Sequence, residues 1–183
     1  GRVTGDVWGA AQNIIINGTI EDDAHLAAAI VLLESNTQIR DDLLASGYGV
    51  EMVSGASLGG DLVTSNYQTL VAGQVGESAL ISSNAVDVRG SISGDLEASV
   101  GDPNQRKMPF SAFRFVPNTP PIETLAPGLL VSERAQIGGN LAYESPEQVE
   151  IPEGAVAGEV QFEETHHKDG QKQGRDPSQP PVI

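Results

Sequence analysis

A five-residue motif recurs along almost the whole sequence: an apolar residue, a spacer, Gly or an acid, a polar residue and a second apolar residue. Its clearest copy lies in the stretch 86–96, VDVRGSISGDL. The eight copies begin at Val3, Ile20, Ile39, Leu58, Val75, Ile92, Ile137 and Val156. They are separated by 17, 19, 19, 17, 17, 45 and 19 residues. A nearly constant step of this size predicts a solenoid of stacked rungs.

The residues within a step alternate between apolar and polar at the period of a strand with one buried face. Ile14, Ile16, Gly18 and Ile20 form one such row. We therefore predict an all-β chain, a single solenoid of about eight rungs. The segment 22–34 also permits a helix, because Ala and Leu are good helix formers, but the motif spacing on both sides favours a rung. The 19-residue rungs are expected to carry their two extra residues in a bulge or a wider corner.

The one long step, from Ile92 to Ile137, leaves roughly 26 to 28 residues beyond a single rung. We assign this surplus to a proline-rich insertion at 102–127, where a regular strand is disfavoured. It contains three of the four phenylalanines, Phe110, Phe113 and Phe115. The insertion is interpreted either as a loop that covers one flank of the solenoid or as a lateral contact arm for a neighbouring subunit.

The domain organisation follows from these assignments. The solenoid occupies 1–162, with the insertion inside it. The sequence 163–183 is polar, lacks a repeat and has almost no apolar residue before Val182, so we expect a disordered tail or linker.

Charge and composition narrow the function. The 25 acids and 10 bases give a net charge of -15, which disfavours a nucleic-acid surface because phosphate binding needs clustered Lys and Arg. The longest apolar run has eight residues, LAAAIVLL, too few to span a bilayer. Any membrane attachment is therefore expected through segments outside this sequence. Because the sequence begins at Gly1 rather than Met, we expect that a preceding segment, such as a secretory signal, was removed.

An acid or amide occupies the fourth motif position in most copies. Aspartate occupies it in five copies, as Asp6, Asp23, Asp42, Asp61 and Asp95, and the other copies have Ser78, Asn140 and Glu159. Stacked rungs would place these side chains in one column. We expect each oxygen to cap a corner by accepting a backbone N–H, since Ser and Asn can do the same. The alternative is a ladder of Ca²⁺ ions, which would need several oxygen ligands per ion.

No pattern in the sequence indicates catalysis, and we expect no enzyme and no cofactor apart from the Ca²⁺ alternative. Only His25 lies inside a rung, whereas a zinc site needs about three converging ligands, so no metal site is assigned to histidine. No G-x-x-x-x-G-K-[ST] phosphate-binding loop occurs. The acid pairs Asp22-Asp23 and Asp41-Asp42 resemble a glycosidase pair only superficially, because adjacent strand residues point to opposite faces.

The repeats resemble bactofilins, the polymer-forming cytoskeletal proteins of bacteria. The similarity rests on Leu58-Gly-Gly-Asp-Leu62, Ile92-Ser-Gly-Asp-Leu96 and Ile137-Gly-Gly-Asn-Leu141, preceded by NIIINGT or VDVRGS, and extends over about 3–160 apart from the insertion. The resemblance implies a right-handed, three-sided parallel β-helix that polymerises end to end into non-polar filaments without nucleotide. The run LAYESPEQVEIPEGAVAGEV is similar to exported bactofilin-like proteins. This implies a location outside the cytoplasm or on the bacterial cell surface, with a cytoplasmic, membrane-associated protein as the alternative.

Physics also favours self-association, because the end rungs of an uncapped solenoid present unpaired backbone and an open apolar core. The candidate interface residues are Val3, Val7, Ile14 and Ile16 at one end and Ile151, Val156, Val160 and Phe162 at the other. The expected partner is a second copy of the chain. Two alternatives remain: a module that binds a protein or polysaccharide through its flank or its insertion, and a carbohydrate-active enzyme with a cleft of close carboxylates.

Overall fold

The computed structural model describes residues 1–104 and 120–165, and every element in them is a β-strand. Seven strands have two residues: β1 (Arg2–Val3), β3 (Thr19–Ile20), β5 (Gln38–Ile39), β7 (Ser57–Leu58), β9 (Gln74–Val75), β11 (Ser91–Ile92) and β14 (Gln136–Ile137). Five have ten residues: β2 (Val7–Ile16), β4 (Ala24–Leu33), β6 (Leu43–Met52), β8 (Leu62–Val71) and β10 (Ala79–Val88). The remaining four are β12 (Leu96–Val100), β13 (Gly128–Val131), β15 (Leu141–Ser145) and β16 (Val160–Glu164).

The strands form a parallel β-solenoid of eight rungs, which confirms the predicted all-β fold. The short strands make one sheet in the order β1-β3-β5-β7-β9-β11-β14, and the long strands make a second from β2 to β16. Every pairing is parallel. The motif starts are direct neighbours, from Val3 beside Ile20 to Ile137 beside Val156. The register read from the sequence is therefore the register of the fold.

Each long strand bends once. Between β4 and β6 the pairing runs through Ala28, skips one residue and resumes at Ile30, and the neighbouring pairs skip the same position. We call the part before the skipped residue the first face and the part after it the second face. The segment 24–33 is β4, so the helix alternative for 22–34 is wrong. Pairing with both neighbouring rungs outweighs the helix propensity of Ala and Leu.

The two extra residues of the 19-residue rungs lie in a wider corner, one of the two predicted placements. Four residues separate β4 from β5 and β6 from β7, whereas two separate β8 from β9. Within the wider corners the Thr37 N–H donates to the Glu34 carbonyl and the Ala56 N–H to the Val53 carbonyl. Both Thr37 and Ala56 are fully buried. The extra residues thus form a hydrogen-bonded turn whose last side chain is buried in the interior of the rung.

The insertion leaves the solenoid at a corner of the sixth rung. β12 ends at Val100 and β13 begins at Gly128, while in the preceding rung only Asn84 separates the partners of these two residues. The last residues of the insertion, 120–127, return along the second face. The predicted contacts of Phe110, Phe113 and Phe115 lie outside the described residues, as does most of the predicted tail.

The interior is filled by aliphatic side chains stacked rung upon rung. The largest fully buried ones include Ile39, Leu43, Leu62, Ile92 and Leu141. The part of the chain that the structure describes contains no helix long and apolar enough to cross a membrane.

Open ends and a polar column

The N-terminal end of the solenoid is the outer edge of β1 and β2. Both strands are last in their sheets and pair on one side only within the described residues. Their side chains are correspondingly exposed: Val3 is 44% exposed, while Val7, Ile14 and Ile16 pack against the core but remain partly open. These four residues were predicted as one interface from the motif alone, and the structure brings them to one end.

The C-terminal end is the outer edge of β16 and of the bridge at Val156. Val160 is 46% exposed. Phe162 is half-buried and its ring lies 5.2 Å from that of Tyr143, at an interplanar angle of 35°. Ile151 lies in the connection from β15 to the last rung and also packs against the core. The four residues predicted for this end therefore share the last rungs.

The two ends differ in charge. β2 has the sequence VWGAAQNIII and carries no ionisable group. The last rung carries Glu159 at its corner, and Glu163 and Glu164 in β16. The long edge strand is therefore uncharged at the beginning of the solenoid and acidic at its end, while the first rung carries its charges outside β2, at Arg2 and Asp6.

The fourth motif positions form one column along the solenoid, and each side chain from Asp23 to Asn140 accepts a hydrogen bond from the backbone of the next rung. Among the described residues no such bond is made to the side chain of Asp6 or of Glu159. The Asp61 N–H donates to Asp42 Oδ1 at 2.7 Å, and the Asn140 N–H donates to Asp95 Oδ1 at 2.6 Å. The same bond joins every step from Asp23 to Glu159. Ser78 supplies its hydroxyl and Asn140 its amide oxygen in the same role. This is the geometry of a corner cap.

Three carboxylates come close together at the second and third corners. One oxygen each of Asp23, Asp41 and Asp42 lies within 4.8 Å of the others. The Asp23 carboxylate raises the pKa of Asp41, and a smaller loss of hydration and the Asp42 carboxylate act in the same direction. The expectation that adjacent acids point to opposite faces was wrong for Asp41 and Asp42, because they lie in a corner rather than in a strand. The cluster is exposed at Asp41 and Asp42 and forms no cleft with a buried acid.

The returning segment 120–127 is fixed to the second face by a set of contacts that sequence reasoning missed. The buried Gln68 side chain donates to the Glu123 carbonyl at 2.5 Å and accepts from the Leu125 N–H at 3.4 Å. Leu125 packs against Leu70 and Ala85. Gln68 and its partners are more than 50 residues apart in sequence, so no local sequence pattern predicts these contacts.

An ion-pair group completes this attachment. Arg89 binds Asp87 at 2.6 Å and Glu123 at 2.7 Å, and these two carboxylates raise the pKa of the guanidinium. Glu51 accepts the Glu123 N–H at 3.2 Å, and burial raises the pKa of Glu51. The second face is therefore covered in the middle rungs by a segment held through charge and backbone contacts.

The first face carries an outward row that was also missed. Trp8 is 75% exposed and stacks on His25, with ring centroids 3.9 Å apart, and Leu44 and Leu80 continue the row. The sequence contains the signal, since each of these residues directly follows the second apolar residue of a motif. The row was missed because the predictions used only the buried positions of the repeat, whereas these side chains point outward.

Fold and site together define a class of protein: a parallel β-solenoid with a capped column of corners and, within the described residues, two open ends. No family model, curated protein or solved structure matches the chain.

Proposed function

We propose that this protein is a structural, self-assembling protein rather than an enzyme, and that it polymerises end to end through its terminal rungs into filaments or a surface scaffold. The observation that carries the proposal is the pair of unpaired sheet edges at β2 and β16, each with core-facing apolar side chains left partly open. The compatible fold and the resemblance of the motifs to bactofilins support a filament that needs no nucleotide or other cofactor.

The physical drive is the completion of two unfinished rungs. At the first rung, β2 is a long edge strand with apolar side chains and no charge, which is a template for pairing with another chain. Full burial of a Val or Ile side chain is worth roughly 1.5–3 kcal/mol, so each half-open residue gains about half of this in a junction. The partner is a second copy, because the edge repeats the spacing and side-chain pattern of the chain's own rungs.

The proposed location is outside the cytoplasm or on the surface of a bacterium. The support is the similarity of the 141–160 run to exported bactofilin-like proteins.

Arg substitutions at the ends test the proposal. Val7→Arg and Val160→Arg place a charge on a partly open, core-facing position of the first and last rung. We expect each variant to keep the β-sheet circular-dichroism spectrum of the wild type and to stop elongation. Negative-stain electron microscopy and sedimentation measure the loss of filaments.

A matched control separates an effect of the ends from an effect of charge. Leu80→Arg introduces the same side chain at an outward, 48% exposed position in the fifth rung. Filaments should persist in this variant. Wild-type protein that forms only single rods, or filaments unchanged in both end variants, would contradict end-to-end assembly.

The exposed row on the first face favours a second candidate, a binding module that holds a polysaccharide. Aromatic and apolar side chains stack on the apolar faces of sugar rings, and Trp8 is the only tryptophan of the chain. In this case the purified chain forms single rods, and a soluble β-glucan changes Trp8 fluorescence. Filaments without any such change would exclude the candidate.

A further inference from the structure

We propose that the copies join head to tail, with β16 of one chain beside β2 of the next, so that the polymer is polar. This inference rests on the proposed end-to-end assembly and specifies its geometry. It differs from the non-polar filament that the family resemblance implies.

The register of the junction is set by the columns inside the chain. On the first face each column runs from a residue of β2 to a residue of β16: Val7 begins the column that Val160 ends, and Gly9 begins the column that Phe162 ends. The second-face columns that begin at Ile14 and Ile16 end earlier, at Leu129 and Val131 of β13. One further parallel step places Val160 against Val7 of the next copy, and Val156 against its Val3. This arrangement continues the first-face apolar columns and the parallel ladder without a change of direction, and it leaves Ile14 and Ile16 beyond the length of β16.

The two ends are complementary in side-chain volume along one column. Phe162 is, with its neighbour Tyr143, one of the two aromatic side chains of its column and is only half-buried, whereas Gly9 has no side chain. A Cβ on Gly9 would lie 3.2 Å from Ile14 and 3.3 Å from Leu26, so these two side chains already fill the space beside the glycine. A head-to-tail junction puts the aromatic ring opposite Gly9, where the facing strand contributes no side chain of its own.

Charge opposes the tail-to-tail alternative. Glu159, Glu163 and Glu164 of two copies would face one another across a two-fold junction, and like charges directly opposite are destabilising. Against the β2 edge Glu163 and Glu164 meet no ionised side chain of that strand. Glu159 would meet Asp6, one acid beside another as in the column inside the chain, and the Asp6 N–H would donate to it.

Disulfide mapping tests the register, because the natural chain contains no cysteine. Ala10 and Glu163 begin and end one outward column, and both are exposed. Adjacent rungs lie ~4.8 Å apart, within the Cα separation that a disulfide spans. We would mix the full-length single variants Ala10→Cys and Glu163→Cys, assemble them under reducing conditions, and then oxidise.

Two controls belong to this experiment. The double variant Ala27→Cys, Ser46→Cys joins neighbouring rungs of the same column within one chain and shows that such a pair can be oxidised. Gln161→Cys replaces Glu163→Cys in a second mixture and lies two residues away, at a diagonal distance of roughly 7–8 Å. Electron microscopy of each reduced variant verifies that it still assembles.

We expect the Ala10 and Glu163 variants to give a mixed covalent dimer, several-fold more abundant than that formed with the Gln161 variant. Filaments without the mixed dimer, or with only dimers of identical variants, would overturn the head-to-tail geometry while leaving end-to-end assembly intact. Wild-type protein that forms no filament would instead refute the proposed function.

Discussion

Asp42 provides the sharpest test of the polar column, because the same position distinguishes a corner cap from a cation ligand. Its Oδ1 accepts the Asp61 N–H at 2.7 Å. Asp42→Ala removes the acceptor at an exposed corner, where water can replace part of the bond, and a loss of about 1 kcal/mol is expected. For a chain of this size that free energy corresponds to a decrease in Tm of roughly 2–4 °C.

Asp42→Asn is the informative comparison. Asn140 fills this role in the seventh rung, where its Oδ1 accepts the Glu159 N–H at 2.9 Å. The variant therefore keeps the cap and removes one charge from the cluster with Asp23 and Asp41. Its Tm should equal or exceed that of the wild type.

The assay is thermal denaturation followed by circular dichroism, at a protein concentration where light scattering shows no polymer. Each protein is measured with EDTA and with added Ca²⁺. The capping account predicts that only Asp42→Ala loses stability and that Ca²⁺ changes none of the three Tm values by more than the variant effect. An equal loss in Asp42→Asn, or a Ca²⁺-dependent rise in the wild type that Asp42→Asn abolishes, would refute it.

Two further predictions concern carboxylates with raised pKa values. Asp41 lies beside Asp23, and its ionised form is disfavoured in the folded state, so Asp41→Asn should raise Tm at pH 7 and low salt. This advantage should disappear below the ordinary pKa of 3.8, where wild-type Asp41 is protonated in both states, and a Tm difference that persists there would contradict the electrostatic cause. Burial raises the pKa of Glu51, so Glu51→Gln, which keeps an oxygen for the Glu123 N–H, should also raise Tm at pH 7. The gain should fall to zero as the pH decreases below 4.5, and a lower Tm at pH 7 would show that attraction to Arg89 dominates.

The fold could be predicted in detail because a solenoid converts sequence spacing directly into spatial neighbours. Residues one step apart in the motif are paired across rungs, as Ile39 and Leu58 are. The candidate interface residues were chosen in the same way, and the structure places Val3 and Val160 in the first and last rungs, each with a neighbouring rung on one side only within the described residues. The first and last copies of the motif each have a neighbouring copy on one side only, so the repeat itself shows where the stack ends.

Features that depend on contacts between particular side chains could not be predicted from the repeat. Three buried side chains of the fourth and fifth rungs form a cluster of hydroxyl groups inside a core that the repeat predicts to be aliphatic. The Thr69 hydroxyl lies 3.2 Å from that of Thr64 and 2.9 Å from that of Ser83. The helix alternative for 22–34 survived at the sequence level because composition alone favours it. Pairing with both neighbouring rungs decides for the strand.

The sequence by itself determined the pitch, the register and the number of rungs, because these follow from apolar positions that recur at a nearly fixed step. Only the tertiary structure decided how the returning segment is held, since Gln68 and Glu123 meet across 55 residues of sequence. It also decided that Asp23, Asp41 and Asp42 form one cluster, because their separation depends on the backbone path at two corners. The structure also shows that the uncharged strand β2 and the acidic strand β16 are the two opposite edges of one sheet, which the sequence of either strand does not indicate.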